Sequence, residues 1–439
     1  MATPEPRAGG RRLHVATRGL TALLTVRGTA LALSATVLVL AACTIPGGTP
    51  AATGPASSGG TAPASGSPSP STAPRSSSPS STPTPSETPP LPTAAACMRL
   101  VSELSLAERV GQLLMVSSSS TGLSTSRAAM IGRTHAGSVL LLGNSKAGVS
   151  ATQQVIADVR DAADRPQRVN VMVAADQEGG LVQRLAGSGF ADIPSAVLQA
   201  KLSDESLATE AETWGDGLDK AGINVNLAPV ADVVPRNLVA VNQPIGQLRR
   251  GYGPSPSIVA RKVAAYTTGM DNAGIATAVK HFPGLGRVRG NTDTEARVVD
   301  TVTTRRDPAL KGFQAAVDAR VDMVMVSSAI YRQIDAKQQA AFSPTVIGTM
   351  IRGDLGFDGV VISDDLAARG VSDVPANQRV MRFLLAGGDL AIVADPDLAE
   401  ASAKALVARA ESDPDFAARV DESAARVLAM KDRRGLIRC

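Results

Sequence analysis

The feature that most constrains the fold is an alternation of short apolar runs with longer helical stretches, repeated eight times after residue 97. Several runs are apolar almost throughout, as is typical of strands buried on both faces of a parallel sheet. The predicted strands are 112–117, 137–143, 170–176, 223–233, 275–282, 321–328, 359–365 and 388–394. Eight consecutive βα units predict a closed parallel (β/α)8 barrel, a TIM-type α/β fold. An open, doubly wound sheet is the alternative, but no Gly-x-Gly-x-x-Gly follows the first strand.

The N-terminal segment has a different composition. Residues 1–42 combine several arginines with a short apolar run that ends at Leu40-Ala41-Ala42, directly before Cys43. This pattern indicates a secretory signal rather than an uncleaved membrane-spanning helix. Its end resembles a bacterial lipobox, so we expect cleavage before Cys43 and lipidation of that cysteine. The protein is then expected on the extracytoplasmic face of the cell membrane, held by its lipid anchor.

A linker separates this segment from the folded part. Residues 43–95 consist largely of Pro, Ser, Thr, Gly and Ala, so they bury too little apolar surface to fold and predict a disordered tether. No second linker interrupts residues 96–439, which predicts one barrel domain. Cys97 and Cys439 lie at its two ends, and outside the cytosol such a pair is expected to form a disulfide. Two unpaired thiols are the alternative.

The charge balance argues against a nucleic-acid partner. The chain has 44 basic and 40 acidic residues, but five arginines and only one acid lie in residues 1–42. The remainder therefore carries as many acidic as basic residues, and the basic excess belongs to the signal.

Polar residues mark the ends of several predicted strands. Asp176 ends the third, Asp232 lies near the end of the fourth, Lys280-His281 lies in the fifth and Asp364-Asp365 ends the seventh. Because catalytic groups of such barrels lie at the carboxyl ends of the strands, these residues predict one site.

Three segments together resemble one family. They are "ADQEGGLVQRL" (175–185), "KHFPGLGRVRGNTDT" (280–294) and "GFDGVVISDDL" (356–366). In this order they resemble glycoside hydrolase family 3, in its single-domain β-N-acetylglucosaminidase branch, over roughly residues 98–435. With the signal and tether, the arrangement resembles an actinobacterial-type lipoprotein. The resemblance implies an exo-acting, retaining enzyme that releases terminal N-acetylglucosamine from peptidoglycan-derived saccharides or muropeptides. The sequence shows no metal-ligand cluster and the reaction needs no cofactor, so we expect neither, and we expect a monomer.

The resemblance also implies residue roles. Asp364 is the expected nucleophile, since a retaining glycosidase forms a covalent glycosyl-enzyme on a carboxylate. Its neighbour Asp365 is expected to cap a helix instead. Asp176, Arg184, Lys280 and His281 fall on sugar-binding positions. In "PIGQLRRGYG", Arg250 is the expected sugar-binding arginine, with Arg249 the alternative.

The chain departs from the family at the acid/base. In the family the acid/base is a histidine in an Asp-Ser-His motif on the loop after strand five. The three histidines of this chain are His14, His135 and His281, and none of them lies in that loop. A carboxylic acid can replace it if burial or a nearby charge raises its pKa. An ungapped alignment from Lys280 places Asn291-Thr292-Asp293 on the triplet, with Asp293 at the position of the histidine. An alignment shifted by two residues places Asp293-Thr294-Glu295 there, with Asp293 at the motif's aspartate and Glu295 at the position of the histidine. Asp293 is therefore the first candidate and Glu295 the second.

Three functions remain open at this point. The first is the β-N-acetylglucosaminidase described above. The second is a family 3 β-glucosidase or a phosphorylase, whose phosphate the two arginines of "RVRGN" would hold. The third is a non-catalytic lipoprotein that binds wall saccharides, an alternative suggested by the missing histidine.

Overall fold

The computed structural model describes residues 93–439. The predicted signal, Cys43 and nearly all of the predicted tether lie outside the described residues. The first helix of the described residues begins at Ala94, within the predicted tether, and the Thr93 side chain caps it. Within the described part of the chain, no helix combines the length and apolarity needed to cross a membrane.

Eight parallel strands form the barrel. They are β1 (Leu114–Ser119), β2 (Ser138–Leu142), β3 (Met172–Ala175), β4 (Val225–Asn226), β5 (Ala276–Phe282), β6 (Met323–Val326), β7 (Val360–Ser363) and β8 (Ala391–Val393). Their order is β7-β6-β5-β4-β3-β2-β1-β8. A parallel bridge between Ile362 of β7 and Leu390, which directly precedes β8, joins the two ends of this order and closes the barrel. The predicted (β/α)8 barrel is therefore confirmed.

The predicted fourth strand, 223–233, is wrong in its length. Regular pairing is limited to Val225–Asn226, with one further bridge between Val230 and Lys280. Pro229 interrupts the run, and because proline has no N–H it cannot donate to a ladder. The chain beyond it runs toward the barrel mouth and carries Asp232.

Helices surround the barrel. They are α1 (Ala94–Glu103), α2 (Leu106–Gln112), α3 (Thr125–Arg133), α4 (Gly148–Ala162), α5 (Ala196–Gln199), α6 (Asp204–Ala221), α7 (Pro256–Asn272), α8 (Lys311–Asp318), α9 (Ala376–Leu385), α10 (Pro396–Ser412) and α11 (Pro414–Arg433), with a π-helix at Thr345–Asp354. Their starts follow local chemistry, as at α2, where Ser105 and Glu108 form a capping box. Short hairpin strands, Gln177–Gly179 with Val182–Gln183, follow β3.

The barrel interior is filled with side chains. Inward residues of the strands pack with Val427 and Met430 of α11, which covers the amino-terminal end of the barrel. At that end the buried Asp322 pairs with Arg433 and Arg434, and Asp389 with three other arginines. This end is thus closed and tied by ion pairs, which leaves the carboxyl ends of the strands for a site.

The two ends of the domain are covalently joined. Cys97 of α1 is bonded to Cys439, and 342 positions separate the two cysteines in sequence. Helix α1 packs on α11, which brings the two ends together.

Candidate active site

A cavity of about 240 Å³ opens at the carboxyl ends of the strands. Its floor is aliphatic and includes Leu140, Met325 and Ile392 of the barrel interior. The polar residues of its wall are Asp176, Arg184, Arg250, Lys280, His281, Asn291, Thr292, Asp293, Asp364 and Asp365. This wall includes every predicted sugar-binding residue. Another cavity, of about 290 Å³ between α3 and α10, contains none of them.

A buried ion cluster organises one side of the cavity. Arg250 donates two hydrogen bonds to Glu178, at 2.7 and 2.8 Å, and Lys280 Nζ lies 2.6 Å from Glu178 Oε1. Burial alone would raise the pKa of Glu178, but the two cations hold that pKa well below its usual range. The cluster fixes the Lys280 ammonium and the Arg250 guanidinium before any substrate binds.

Lys280 also reaches the predicted sugar-binding carboxylate. Its Nζ donates to Asp176 Oδ1 at 2.7 Å. Burial lowers the pKa of Lys280, but the carboxylates of Asp176 and Glu178 outweigh it and keep that pKa above its ordinary value. Lys280 is therefore a fixed cation. Asp176 keeps a second oxygen for sugar hydroxyls.

His281 is held by a fully buried carboxylate. Its Nδ1 lies 2.7 Å from Asp232 Oδ2, while Asp232 Oδ1 accepts from the backbone N–H groups of His281 and Leu285. The other ring nitrogen, Nε2, lies 3.4 Å from Arg250 Nη2. Asp232 thus orients the imidazole toward the cavity wall.

Arg184 keeps unused donors. Its Nη1 donates to Asn144 at 3.1 Å, whereas its buried Nε has no partner among the described residues. A buried donor without a partner costs free energy, so this guanidinium is suited to donate to a ligand oxygen.

Asp364 follows β7 and faces the cavity. Its own Oδ1 accepts the N–H of Asp365 at 3.0 Å. Desolvation raises the pKa of Asp364 to about 6; His281 opposes this rise and Asp293 adds to it. With a pKa of about 6, the carboxyl group is still mostly ionised at neutral pH, the form in which it can act as a nucleophile.

Asp365 differs from its expected role. No α-helix begins at this position, so it is not a helix cap. Its Oδ1 accepts from the N–H groups of Ala367 and Ala394, which fixes the turn after β7, and the residue also lines the cavity. Burial raises its pKa.

The two acid/base candidates lie in different places. Asp293 lines the cavity, and its N–H donates to Asn291 Oδ1 at 3.0 Å. Both side chains are exposed, but Glu295 is not part of the cavity wall and lies against Gly290. The geometry therefore brings Asp293, and not Glu295, to the site.

Tertiary packing also separates Arg249 from Arg250. Arg250 turns inward to Glu178, whereas Arg249 is exposed.

The sequence analysis did not identify Glu178. Its signal was present in the "DQEGG" segment, where an acid two residues after Asp176 lies on the same side of an extended chain.

Carboxylates and fixed cations around a cavity at the mouth of a (β/α)8 barrel define a class, the barrel glycoside hydrolases. Residues 105–430 match the glycosyl hydrolase family 3 N-terminal domain. The chain belongs to this family and is a glycoside hydrolase.

Individual relatives agree with this assignment. A beta-hexosaminidase of Stenotrophomonas maltophilia (strain K279a) is 36% identical over 281 residues, 60% of this chain and 78% of that protein. A beta-N-acetylhexosaminidase from Beutenbergia cavernae DSM 12333 is 46% identical, with a TM-score of 0.73 over 75% of this chain and 98% of that structure. A family 3 beta-N-acetylglucosaminidase from Paenibacillus sp. str. FPU-7 is 30% identical, with a TM-score of 0.68 over 76% and 63%.

Proposed function

We propose that the protein is an exo-acting, retaining β-N-acetylglucosaminidase that removes terminal N-acetylglucosamine from peptidoglycan-derived saccharides. The observation that carries the proposal is the position of Asp364, at the end of β7 in one cavity with Asp176, Arg184, Lys280 and His281. The names of the similar proteins support the amino sugar.

In this mechanism the cations and Asp176 bind the hydroxyl groups of the terminal sugar. Asp364 attacks the anomeric carbon, the bond to the leaving oxygen breaks, and a covalent glycosyl-enzyme forms. Asp293 gives its proton to the leaving oxygen. It then takes a proton from the water that releases the sugar with retained configuration.

Location outside the cell remains part of the proposal. The signal 1–42 and the lipobox-like segment before Cys43 support a lipid anchor on the extracytoplasmic face of the membrane. A tether over 43–95 would let the barrel reach the wall. Cys43→Ala should release the protein into the medium; retention of that variant on the membrane would contradict the anchor.

Hydrolysis is favoured over transfer to phosphate. Of the two arginines in "RVRGN", Arg287 donates to Thr303 and pairs with Asp307 on both guanidinium nitrogens, so it is not available to an anion. This pairing supports water as the acceptor.

The proposal is tested with 4-nitrophenyl β-glycosides of N-acetylglucosamine, glucose and xylose, each with and without phosphate. We expect release from the N-acetylglucosaminide alone, independent of phosphate, and almost none with Asp364→Ala. A fluorinated, slowly hydrolysed amino sugar should label Asp364. Preference for glucose, stimulation by phosphate, or labelling of another carboxylate would each contradict the assignment. Binding without turnover would favour the non-catalytic alternative.

A further inference from the structure

One buried side chain behind the cavity wall has no part in the mechanism described above. Gln177 begins the hairpin that joins Asp176 to Arg184, and it is 1% exposed. Asp176 and Arg184 both line the cavity, whereas Gln177 does not. Gln177 can therefore affect a bound sugar only through the residues that it holds in place. Because a buried amide has to satisfy both its donors and its acceptor, its partners show which part of the chain it positions.

The Gln177 side chain forms a reciprocal pair of hydrogen bonds with the backbone of Leu185. Its Nε2 donates to the Leu185 carbonyl at 2.7 Å, and its Oε1 accepts the Leu185 N–H at 3.0 Å. Leu185 is fully buried and directly follows Arg184. Gln183 also donates to this carbonyl, at 3.1 Å, but among the described residues only Gln177 accepts the N–H. The backbone next to Arg184 is thus fixed by the side chain of residue 177.

The backbone of Gln177 is held by a second buried amide. Asn226, the last residue of β4, accepts the Gln177 N–H at 3.0 Å and donates to the Gln177 carbonyl at 3.2 Å. Tyr266 of α7 donates to the same carbonyl at 3.1 Å and accepts from Asn226 at 3.0 Å. Asn226 and Tyr266 are both buried. Because Asn226 belongs to a barrel strand, these bonds connect Gln177, and through it the backbone at Arg184, to the rigid frame of the barrel.

Strand pairing alone provides little of this connection. The hairpin has two paired positions, and its register shifts between Gln177 and Gly179. Directly after it, the Arg184 N–H reaches the Asp176 carbonyl at 3.2 Å. A two-stranded hairpin is marginally stable by itself, so a ladder this short does not hold its ends rigidly. The side-chain bonds of Gln177 supply the fixation that the ladder lacks.

Arg184 makes few contacts that would fix its own side chain. Within the described part of the chain, its guanidinium donates to Asn144 alone, at 3.1 Å, and its buried Nε has no partner. The direction of the guanidinium toward the cavity therefore depends on the backbone that Gln177 holds. A ligand-binding group acts fully only when a supporting residue keeps it in place.

We propose that Gln177 is a positioning residue that sets the place of Arg184 relative to Asp176, so that both side chains bind the same terminal sugar. The inference rests on the proposed function, which supplies that sugar, and it assigns a role to a residue that does not contact the substrate.

The test uses Gln177→Met, which keeps the length of the side chain and removes both bonds to Leu185. With the 4-nitrophenyl glycoside of N-acetylglucosamine, we expect KM to rise about tenfold, because a misplaced binding group loses much of its effect. The change in kcat should stay below about threefold, since the variant removes binding rather than a transition-state contact. Asp364 follows β7 and has no bond to the hairpin.

A double-mutant cycle shows whether Gln177 acts through Arg184. Arg184→Gln alone should raise KM at least as much as Gln177→Met. When Gln177→Met is added to Arg184→Gln, KM should rise further by less than about twofold, because residues that act as a unit are not additive. Fully additive effects, or an unchanged KM in either single variant, overturn the positioning role.

The matched control is Gln112→Met. Gln112 is a glutamine of similar burial, 2% exposed, but it lies at the amino-terminal end of the barrel, where its Oε1 accepts from Lys431 at 2.6 Å. This variant should lower the urea midpoint and keep the wild-type KM. An equal rise of KM in Gln112→Met would show that the loss of any buried glutamine weakens binding, and it would overturn the assignment.

Tyr266→Phe is the milder variant if Gln177→Met does not fold. It keeps the ring and removes the hydroxyl that bonds to Gln177 and Asn226. We expect KM to rise about two- to threefold in the wild-type background and to stay unchanged in the Arg184→Gln background. An unchanged KM in the wild-type background overturns the inference.

Hydrogen exchange separates the positioning role from the proposed function. If the wild type cleaves no N-acetylglucosaminide, the proposed function fails, and amide exchange over residues 182–186 then decides the role of Gln177. Loss of the acceptor for the Leu185 N–H should speed exchange there in Gln177→Met and not in Gln112→Met. Unchanged exchange in Gln177→Met overturns the inference whatever the substrate is.

Discussion

Gly370 donates its backbone N–H to the carbonyl of Thr292 at 2.7 Å. This bond joins the loop that carries Asp293 to the segment that follows Asp364, and the N–H of Arg369 reaches the Asp293 carbonyl in the same way at 3.4 Å. On the surface, Arg297 and Asp373 pair at 3.0 Å between the same two segments. The position of the proposed acid/base relative to the nucleophile is thus set by contacts between two loops.

Gly370→Ala should disturb this relationship. A Cβ at this position would lie 2.8 Å from the Thr292 carbonyl oxygen, so the Asp293 loop must shift. A shift of this kind is expected to lower kcat on a disaccharide by ~10-fold or more. Activity on a dinitrophenyl glycoside, which needs no proton donor, should fall less. Gly348→Ala is the control, because nothing lies within 4 Å of a Cβ there. Equal losses on both substrates would indicate a general structural defect.

The pH dependence should report Asp364. The reacting form is the carboxylate, so kcat/KM should fall as pH decreases through about 6, the value to which desolvation raises the pKa of Asp364. Asp293 adds to this rise, so Asp293→Asn should move the acidic limb to lower pH. The measurement uses a dinitrophenyl glycoside. Glu295→Gln should leave the acidic limb of the pH profile in place. If Asp293→Asn does not move that limb either, Asp293 does not raise the pKa of Asp364.

Mutation distinguishes the two acid/base candidates. Asp293→Ala should strongly lower cleavage of a natural disaccharide and spare much of the first step with a nitrophenyl glycoside, because an activated phenol leaves without a proton. Added azide should then increase turnover by attacking the glycosyl-enzyme without a general base. Glu295→Ala should show neither effect. If only Glu295→Ala shows them, the gapped alignment is right and Asp293 is not the acid/base.

Glu178→Gln should weaken both binding and stability. The substitution keeps the side chain's size but leaves Arg250 and Lys280 with less compensating charge in a buried setting, which is expected to cost about 3–5 kcal/mol. Urea unfolding measures this loss, and KM should rise in parallel. Glu400→Gln, which breaks the surface pair with Arg133, is the control and should unfold at the wild-type midpoint. A stable Glu178→Gln protein with normal KM would contradict the role of the cluster.

The disulfide bond between Cys97 and Cys439 closes a loop that contains almost the whole domain. Its loss in Cys97→Ala is expected to lower the free energy of unfolding by about 2–5 kcal/mol, since cross-linking distant residues restricts the unfolded chain. Non-reducing mass mapping should find the two cysteine peptides joined. Reduction should destabilise the wild type and leave the variant unchanged; two free thiols in the protein purified without reductant would refute the prediction.

The sequence determined the architecture and the strand-end residues of the site. Alternating apolar and helical segments specify a parallel barrel, because strands buried on both faces need continuous apolar runs and crossover helices between them. Barrel topology then brings the carboxyl ends of the strands together. Asp176, Lys280, His281 and Asp364 lie at or just after such ends, so local pattern was sufficient to locate them.

Tertiary structure decided the residues that lie in loops. The choice between Arg249 and Arg250, and between Asp293 and Glu295, depends on which side chain turns toward the cavity. The two candidates of each pair have the same chemical character and lie in the same local sequence pattern, so the sequence does not distinguish them. The direction of each side chain is set by partners that are distant in sequence. Arg250 points inward because it donates to Glu178, and the segment that carries Asp293 is positioned by the hydrogen bond from the Gly370 N–H. Because these contacts form only when the strands have closed the barrel, no local pattern encodes them.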